Sequence, residues 1–528
     1  MPPRIVNPLN GPQRQVYRGS VDGFAAVDFE FARQVLQRGV AALYVVAFLS
    51  TLQQFPALLG ERGLLPAPRL LEWAEEHRAR GSGTGRARRR SVLHPTLFTR
   101  VRYTDSRLRL LCVGGILLGL LLVAGIPQLG GPWIPLVCFL LLWLGYMSIV
   151  SIGQTFYGFG WEMLLLEAGF LVAFLGSDSQ PPPTVVIVLL WWLVFRLEFG
   201  AGMIKIRGGR EWRDLTAMTY HHETQPLPGP LSRQAHLLPR WFHRLEVVGN
   251  HVAQLAVPWL LFAPLVALWV PGPWPQWIGA GAAAVIIATQ LWLVATGNFA
   301  WLNAITIVLA FSAIGLPASD RDAPSDAPWT IDGLDLPWIV VTSALGVLYV
   351  ILSVPAARNL FARRQLMNAS FHRWQLANAY GAFGTVTKER IEYVVEGTRA
   401  DEPDEADWRE YGFRGKPGDV RRLPPQVAPY HLRLDWLMWF LPLGRSLDDW
   451  FAVFLVRLLE ADAATLRLLR HDPFDGEPPR WVRVVGYRYR FATREEHRRS
   501  GDRWVREHPR TVVRPLTLRN GSHGRGRE

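Results

Sequence analysis

Three ionisable side chains lie within one apolar stretch of membrane length, and they are the first residues able to carry chemistry. Arg196, Glu198 and Lys205 fall at the end of the apolar run 184–205, which predicts a membrane-spanning helix. A charge in hydrocarbon costs at least about 2.5 kcal/mol, so such residues usually face a protein interior and have a partner or a function. Lys205 is one of only three lysines in the chain.

Helical spacing gives these charges two interpretations. Residues seven apart share a helix face, so Glu198 and Lys205 are expected to pair along the helix. Arg196 lies nearly on the opposite face, where Glu162 or Glu167 of the preceding apolar segment can neutralise it, because buried ions need partners. In the alternative, Lys205 is shielded from water and acts as a base or nucleophile. The sequence does not choose between a structural and a catalytic lysine.

The loop that follows, residues 206–244, is rich in histidine, and its composition raises the question of a metal. His221, His222 and Glu223 are consecutive, but neighbouring residues point to different sides of most backbones. His236 and His243 are scattered, and the chain has neither an HExxH motif nor paired cysteines at zinc-ligand spacing. We predict no metal site and no cofactor. A GxSxG nucleophile motif is also absent.

Prolines give the same loop a second character. Pro226, Pro228, Pro230 and Pro239 fix the backbone φ angle, which predicts a stiff, extended segment near the membrane surface. This segment is either a packed cap on the membrane domain or a surface that binds a partner.

Composition places these features in a multi-pass membrane protein. The chain has 528 residues, 49% of them hydrophobic, with 23 tryptophans and a net charge of +13. The arginines flank apolar runs or lie in the tail, which is typical of membrane proteins and does not call for a nucleic-acid partner. Cys112 and Cys138 both lie in apolar runs, so no disulfide framework is expected.

The apolar runs predict an α-helical polytopic membrane protein of about eight or nine spans, followed by a soluble domain of mixed α+β structure. The eight clear runs are 39–59, 108–126, 133–153, 184–205, 245–270, 276–296, 299–316 and 337–354. A weaker run at 161–175 carries Glu162 and Glu167, and we expect a short helix surrounded by protein. The predicted domains are a polar segment 1–38, a membrane domain 39–355 with a basic loop 60–107 and a motif loop 206–244, a soluble domain 356–518 and a disordered tail 519–528.

Loop charges favour nine spans over eight. There are eleven arginines from 61 to 107 and six from 206 to 244, whereas the 317–336 loop has one arginine and five aspartates. Nine spans place the arginine-rich loops and the tail on one face and the acidic loop on the other. The positive-inside rule predicts that the arginine-rich face is cytoplasmic.

Secondary structure in the soluble domain is predicted from alternation and turn residues. We expect two strands within 383–395, another at 408–414, an amphipathic helix at 450–469 and a last strand at 482–491. A Gly/Arg-rich linker at 81–90 is predicted to be flexible rather than a nucleotide site, because no strand precedes it.

Long ordered motifs in this chain closely resemble the lipase maturation factor family. They read SIVSIGQTFYGFGWEMLLLEAGFL (148–171), FRLEFGAGMIKIRGGREWRDLTAMTYHHETQPLPGPLS (195–232), LPRWFHRLEVVGNH (238–251), YGAFGTVTKERIEYVVEG (380–397) and PPQVAPYHLRLDWLMWF (424–440). The resemblance covers most of the chain from about residue 43. His222 departs from it, because an aromatic residue is more usual at that position.

This resemblance implies a multi-pass protein of the endoplasmic reticulum membrane that helps exported lipases fold and assemble, with the motif loop and tail on the luminal side. That orientation is opposite to the one predicted from charge. The composition also suits a bacterial member, which would lie in the plasma (inner) membrane. The implied partners are membrane lipid and an exported lipase client. The candidate client-binding residues are Trp212, Asp214, Tyr220, His221, Glu223, Thr224, Gln225, Pro226, Trp241 and His243.

A membrane enzyme is the alternative function. The FGAG-x-x-K segment is similar to that of relatives of the vitamin K-dependent carboxylases, which act on a lipid-soluble cofactor through intramembrane residues. Lys205 would be the base in that case.

Overall fold

The structure is a computed structural model, and it describes residues 23–80, 93–270, 272–316, 330–331, 333–404 and 407–518. The predicted flexible linker 81–90 and disordered tail 519–528 lie outside these residues. The α-helices are α1 (Glu30–Leu59), α2 (Ala67–Arg80), α3 (Asp105–Ala124), α4 (Trp133–Ile152), α5 (Gly160–Val172), α6 (Thr184–Arg207), α7 (Arg210–Arg213), α8 (Met218–Thr224), α9 (Ser232–His236), α10 (Arg240–His251), α11 (Val257–Leu260), α12 (Trp274–Thr296), α13 (Leu302–Ala310), α14 (Leu336–Phe361), α15 (Arg433–Phe440), α16 (Asp449–Leu459), α17 (Ala463–Leu466) and α18 (Arg494–Ser500). The strands are β1 (Thr330–Ile331), β2 (Leu334–Asp335), β3 (Arg390–Thr398), β4 (Arg409–Glu410), β5 (Trp481–Phe491) and β6 (Trp504–Leu516).

Among the described residues, seven helical segments are long and apolar enough to cross a membrane. They are Val27–Leu59, Asp105–Ala124, Trp133–Ile152, Thr184–Arg207, Arg240–Ala267, Trp274–Thr296 and Leu336–Phe361. These segments confirm the prediction of a polytopic α-helical membrane protein. The first begins before the boundary predicted at residue 39, because Arg33 and Gln37 of its first turns are buried and donate to the carbonyls of Gln180 and Gly176.

Two shorter helical segments complete the bundle. α5 continues as a 3-10 turn at Ala173–Leu175, and α13 continues as a 3-10 turn at Phe311–Ala313. Sixteen helical residues from 160 to 175 reach only about 24 Å, at 1.5 Å per residue. Most side chains of α5 are buried by neighbouring helices, as expected for a short span that lipid does not surround.

Contacts between loops assign the chain to two faces of the bundle. On one, which we call the motif face, Pro228 and Gly297 form a β-bridge, and the Asn298 amide donates to the carbonyl oxygen of Pro425 at 2.9 Å. The Arg457 guanidinium donates to the carbonyl of Arg62 at 3.0 Å. The motif loop, the start of the basic loop and the C-terminal domain therefore lie on the same face.

The remaining connections meet on the opposite face. Ala25 forms a β-bridge with Pro183, and the amide of Asp178 donates to the carbonyl of Gln128 at 2.9 Å. The amide of Leu316 donates to Asp28 at 2.9 Å. Together with the contacts on the motif face, these contacts show that the described chain passes between the two faces nine times from residue 27 to residue 361, through the seven long apolar segments and the two shorter ones.

Close packing of α1 and α3 depends on two glycines. A Cβ at Gly115 would lie 2.6 Å from the Phe48 ring, and one at Gly119 would lie 2.7 Å from a methyl of Val45. Small residues let helices approach in a membrane, where dispersion contacts replace the hydrophobic effect as the main attraction between helices.

The C-terminal domain contains a four-stranded antiparallel sheet in the order β4-β3-β5-β6. β3 pairs with β5 from Arg390 opposite Tyr489 to Thr398 opposite Trp481. The segment between β4 and β5 includes α15, which returns to the membrane domain. Mixed α+β structure is thus confirmed for this part of the chain.

Three predictions for this domain differ from the structure. Residues 383–395 hold one strand instead of two, because the carbonyls of Phe383 and Gly384 bond to the motif loop and not to a sheet. The predicted helix 450–469 is interrupted where Ala461 takes a positive φ of 49°. β6 was not predicted, because prolines and charges obscure its alternation, so β5 is not the last strand.

Candidate functional site: the motif loop and the buried charges around it

The first buried charge centre joins α5 to α6. Arg196 forms an ion pair with Glu167, and its guanidinium also donates to the carbonyl of Asn378 at 2.6 Å. Tyr380 donates to the same carboxylate at 2.7 Å, and Tyr349 donates to it at 3.2 Å. Glu167 is one of the two partners that helical spacing predicted for Arg196. The additional donors to its carboxylate come from Tyr349 in α14 and from Tyr380 beyond the spans.

The second centre joins α5 to the C-terminal domain. Glu162 accepts a hydrogen bond from Arg433 at 2.7 Å and another from Tyr146. The Arg433 guanidinium lies 3.4 Å from the centre of the Tyr157 ring. Burial lowers the pKa of the adjacent His431 to about 4, with Arg433 adding to the effect. Glu162 therefore holds the tail against the membrane domain and does not pair with Arg196.

Lys205 has a different set of partners from the predicted one. Its ammonium donates to Asn250 at 3.1 Å and to Gln254 at 2.7 Å, and it lies 4.9 Å from the centre of the Trp212 ring. Glu198 instead accepts a hydrogen bond from Gln290 at 2.8 Å. No direct Glu198–Lys205 ion pair occurs in this part of the described structure.

Close helix approach explains this difference. A Cβ at Gly202 would lie 2.7 Å from Leu255 and 3.0 Å from Gln254. The π-helical segment Val252–Ala256 is thereby pressed against α6, and its amide side chain occupies the space beside Lys205. Amide oxygens, not a carboxylate, are the direct acceptors of the lysine hydrogen bonds.

The motif loop folds into three short helices, α7, α8 and α9, and its centre is buried. Gln225 donates to the carbonyl of Thr296 at 2.7 Å and to the Ser232 hydroxyl at 3.1 Å. Ser232 donates to the same Thr296 carbonyl at 2.6 Å and accepts from the amide of Gly229 at 2.7 Å. These bonds close the proline-rich segment onto the end of α12.

Arg390 joins the motif loop to the C-terminal sheet. It donates to the carbonyls of Glu223 at 3.1 Å and Pro226 at 3.0 Å, and also to that of Gln225. The Glu223 carboxylate accepts from the amide of Phe491 in β5 at 2.8 Å, and burial raises the pKa of this carboxyl group. We call these contacts the loop–sheet joint.

A cluster of histidines lies between α8 and α10. His222 and His243 both lie within hydrogen-bond distance of the Glu246 carboxylate, at 3.1 and 2.8 Å. His221 points away from them and stacks on Phe299 at 6.1 Å between ring centres. Burial, followed by the charge of His222, lowers the pKa of His221 to about 3.

Comparison with known proteins decides the family. A family model described as the lipase maturation factor transmembrane domain matches residues 31–317, and one described as the lipase maturation factor C-terminal domain matches residues 376–514. This chain belongs to the lipase maturation factor family.

Relatives are similar over nearly the whole length. Lipase maturation factor 1 of Mus musculus is 38% identical, over 93% of this chain and 88% of its own length. The Homo sapiens protein of that name is also 38% identical, over 93% of this chain and 88% of its own length. Lipase maturation factor 2 of Rattus norvegicus is 29% identical, over 90% of this chain and 82% of its own length. No solved structure matches.

The predicted site residues of this family member fall into two groups. Buried positions are Trp212, His221, Thr224, Gln225, Pro226 and His243, and Glu223 and Tyr220 are partly buried. Only Asp214 and Trp241 among the ten are exposed, and Trp241 begins a row of exposed apolar side chains on α10 that continues with Leu245 and Val248. Most of the predicted site residues therefore pack inside the protein. Trp241 lies in a position typical of a tryptophan that anchors a helix at the membrane surface.

Several important residues of this family member were not singled out from the sequence. Arg390 and Arg433 occur in the quoted tail motifs. Arg390 pairs locally with Glu392, but the motif-loop carbonyls that it bonds, and the Glu162 partner of Arg433, lie more than 160 positions away. Glu246 occurs three residues after His243, a spacing that places both on one helix face. This spacing could have predicted that Glu246 lies beside His243 in the histidine cluster.

Proposed function

We propose that this chain is a membrane-embedded maturation factor that assists the folding and assembly of secreted lipases without catalysing a reaction itself. Identity of 38% with Lipase maturation factor 1 of Mus musculus over 93% of the chain is the observation that carries the proposal. The matched family models and named relatives lend no support to the carboxylase alternative. Lys205 is a structural residue in this proposal, held by amides of the neighbouring span.

The motif face is the proposed client-binding side. Client lipases in an incompletely folded state expose apolar surface, and exposed apolar side chains mark surfaces that bind it. Leu231 beside the loop–sheet joint is 50% exposed, and Phe440 at the end of α15 is 41% exposed. The adjacent Trp439 donates to the carbonyl of Thr224 at 3.0 Å, which connects the second residue to the motif loop.

We place the protein in the endoplasmic reticulum membrane, with the motif face toward the lumen, where secreted lipases fold. The family resemblance supports this placement. The plasma-membrane alternative for a bacterial source rests on composition alone, and the comparisons give it no support.

Rescue of lipase secretion tests the proposal. The chain is expressed in cells that lack their own lipase maturation factors, together with a secreted dimeric lipase, and the activity, amount and oligomeric state of the secreted enzyme are measured. We expect the wild-type chain to raise lipase activity per secreted molecule and the dimer fraction. The double variant L231S/F440S is expected to lose most of that gain at equal expression.

A matched control comes from the other side of the membrane. Leu129 is 77% exposed and lies in the 3-10 turn Pro127–Leu129 on the opposite face, so L129S should rescue as well as wild type. If no secreted lipase gains activity from the wild-type chain, the proposed function is wrong. If L231S/F440S rescues fully, only the assigned client surface is wrong.

A further inference from the structure

The cluster of His222, His243 and Glu246 has the composition of a metal site. His222 belongs to α8, and the other two belong to the first turns of α10. One potential ligand atom from each residue lies within 4.8 Å of the others. Two imidazoles with one carboxylate form a common zinc ligand set that leaves the fourth position for water.

Burial separates this group from ordinary surface histidines and acids. The side chains of His222, His243 and Glu246 are only 1%, 3% and 7% exposed. Buried polar groups require partners, and a buried carboxylate requires positive charge or several donors. The site is therefore a packed part of the fold and not a chance meeting of solvated side chains.

The surroundings of His243 call for a cation. Its Nε2 lies 3.2 Å from the carbonyl oxygen of His236, and its Nδ1 lies 2.8 Å from Oε2 of Glu246. Both oxygens only accept hydrogen bonds, whereas a neutral imidazole has one N–H to donate. A metal ion bound by Nδ1 and Oε2 satisfies both contacts, because Nε2 then keeps its proton for the carbonyl.

Supporting contacts around His243 and Glu246 have the form found around bound metals, whereas Nδ1 of His222 has no hydrogen-bond partner. Metal-binding histidines usually donate their other N–H to a carbonyl or carboxylate, as His243 does toward His236. The Trp292 indole of α12 donates to Oε1 of Glu246 at 2.9 Å, which orients the carboxylate.

We propose that His222, His243 and Glu246 bind a zinc ion that clamps the motif loop to the start of the sixth crossing. The adjacent His221 takes no part, because it packs against Phe299 and Phe383. The expectation of no metal site rested on the adjacent residues 221–223, on the scattered positions of His236 and His243 and on the absence of a zinc motif, and it did not include Glu246.

Zinc binding by the purified full chain tests this proposal. The detergent-solubilised protein is stripped with chelator, and zinc stoichiometry and affinity are measured by elemental analysis and calorimetry. We expect one zinc per chain, with binding at least about tenfold weaker in H222F, whose ring has no nitrogen to bind a metal, and in H243N. His251 bonds to the carbonyl of Trp212 at 3.1 Å outside the cluster, so H251N should bind zinc as wild type does.

Two further measurements keep the proposal testable if a variant fails to fold. X-ray absorption of the zinc-loaded wild type should show only nitrogen and oxygen ligands at about 2.0–2.1 Å. Chelation should lower the melting temperature of wild type and leave that of H222F unchanged. Absence of stoichiometric zinc in the wild type, or equal affinity in wild type, H222F and H243N, overturns the proposal and leaves a protonated His243 to satisfy Glu246.

Discussion

At the scale of single residues, the membrane domain is organised by charges that have no contact with water. Glu167 takes donors from Arg196, Tyr349, Tyr380 and Asn378, and its carboxylate is entirely buried. Replacing an ion pair of this kind by apolar residues is often neutral, whereas removing one partner leaves an uncompensated charge. The contribution of Glu167 to stability therefore depends on the presence of Arg196.

Glu167→Gln tests that dependence. The change keeps the shape of the side chain but leaves the Arg196 guanidinium without a counter-charge, so we expect a loss of about 3–5 kcal/mol in the free energy of unfolding. The double variant E167Q/R196M should recover most of this loss. Denaturant titration of the detergent-solubilised protein, followed by tryptophan fluorescence, measures both.

An exposed ion pair provides the control for this comparison. Glu495 and Arg499 are 72% and 76% exposed, so E495Q should change the free energy of unfolding by less than about 0.5 kcal/mol. Equal destabilisation by E167Q and by the double variant would contradict the argument, since the loss would then come from packing and not from charge.

Sequence spacing predicted some of these residues and missed others for a physical reason. Arg196 and Glu167 lie 29 positions apart in adjacent apolar segments, so charge in a hydrophobic context is enough to pair them. Arg433 lies 271 positions from Glu162, and no local periodicity relates them. Asn250 and Gln254 were not predicted as partners of Lys205, because a neutral amide side chain carries no charge that would indicate a buried partner.

At the scale of elements, the loop–sheet joint determines how the motif loop is held. A single guanidinium donates hydrogen bonds to three backbone carbonyls within four residues, those of Glu223, Gln225 and Pro226. Proline contributes no N–H, and prolines surround this segment, so few donors are available nearby to satisfy these carbonyls. Residues 223–226 consequently depend on the C-terminal domain for their conformation.

Arg390→Met should loosen the joint without unfolding the membrane helices. Hydrogen bonds from a charged donor contribute about 1.5–3 kcal/mol each, so amide hydrogen exchange in residues 218–232 should quicken by at least about tenfold. Exchange in α4 should not change. Mass spectrometry of the peptic fragments locates the effect.

Arg488→Met is the matched variant on the neighbouring strand. Arg488 is 39% exposed, and its carboxylate partners lie at 3.4 and 3.9 Å, so its removal should leave exchange in 218–232 as in wild type. Unchanged exchange in the Arg390 variant would show that the motif loop is held by the membrane domain alone.

Secondary-structure elements were predicted well where a long apolar run defines them and poorly where they depend on pairing with residues distant in the sequence. α6 was placed to within two residues of its end, because a membrane helix needs an uninterrupted apolar run. β6 was missed because Pro509 and Pro515 interrupt its pattern, although it pairs with β5 along most of its length. The motif loop was singled out by its histidines and prolines, but its burial depends on a sheet assembled from residues 390–516.

At the scale of the whole molecule, an odd number of crossings puts the two ends of the described chain on opposite faces. The arginine counts predict a cytoplasmic motif face, and the proposed function requires a luminal one. Arginine counts predict the orientation poorly here, because some of these arginines are held by protein partners. Arg207 donates to the carbonyl of Leu360 and to the side chain of Gln365, and Arg233 donates to the carbonyls of Ala492 and Thr493. These arginines are committed to protein partners on the motif face.

Glycosylation reporters determine the orientation. An Asn-x-Thr acceptor is placed after the last residue or within residues 317–329, and modification shows which site is in the lumen. We expect modification at the C-terminus and none within 317–329. The reverse pattern would exclude a luminal client surface, and modification at both sites would contradict nine crossings.

The distance along the chain between Glu162 and Arg433 has a consequence for biogenesis. Translation proceeds at roughly 5–20 residues per second, so the 271 positions between them represent a delay on the order of tens of seconds. Until Arg433 leaves the ribosome, α5 carries a carboxylate whose permanent counter-ion has not yet been made. The early helices therefore remain an incomplete intermediate through most of synthesis, and the last third of the polypeptide acts as an internal cofactor for the insertion of the first.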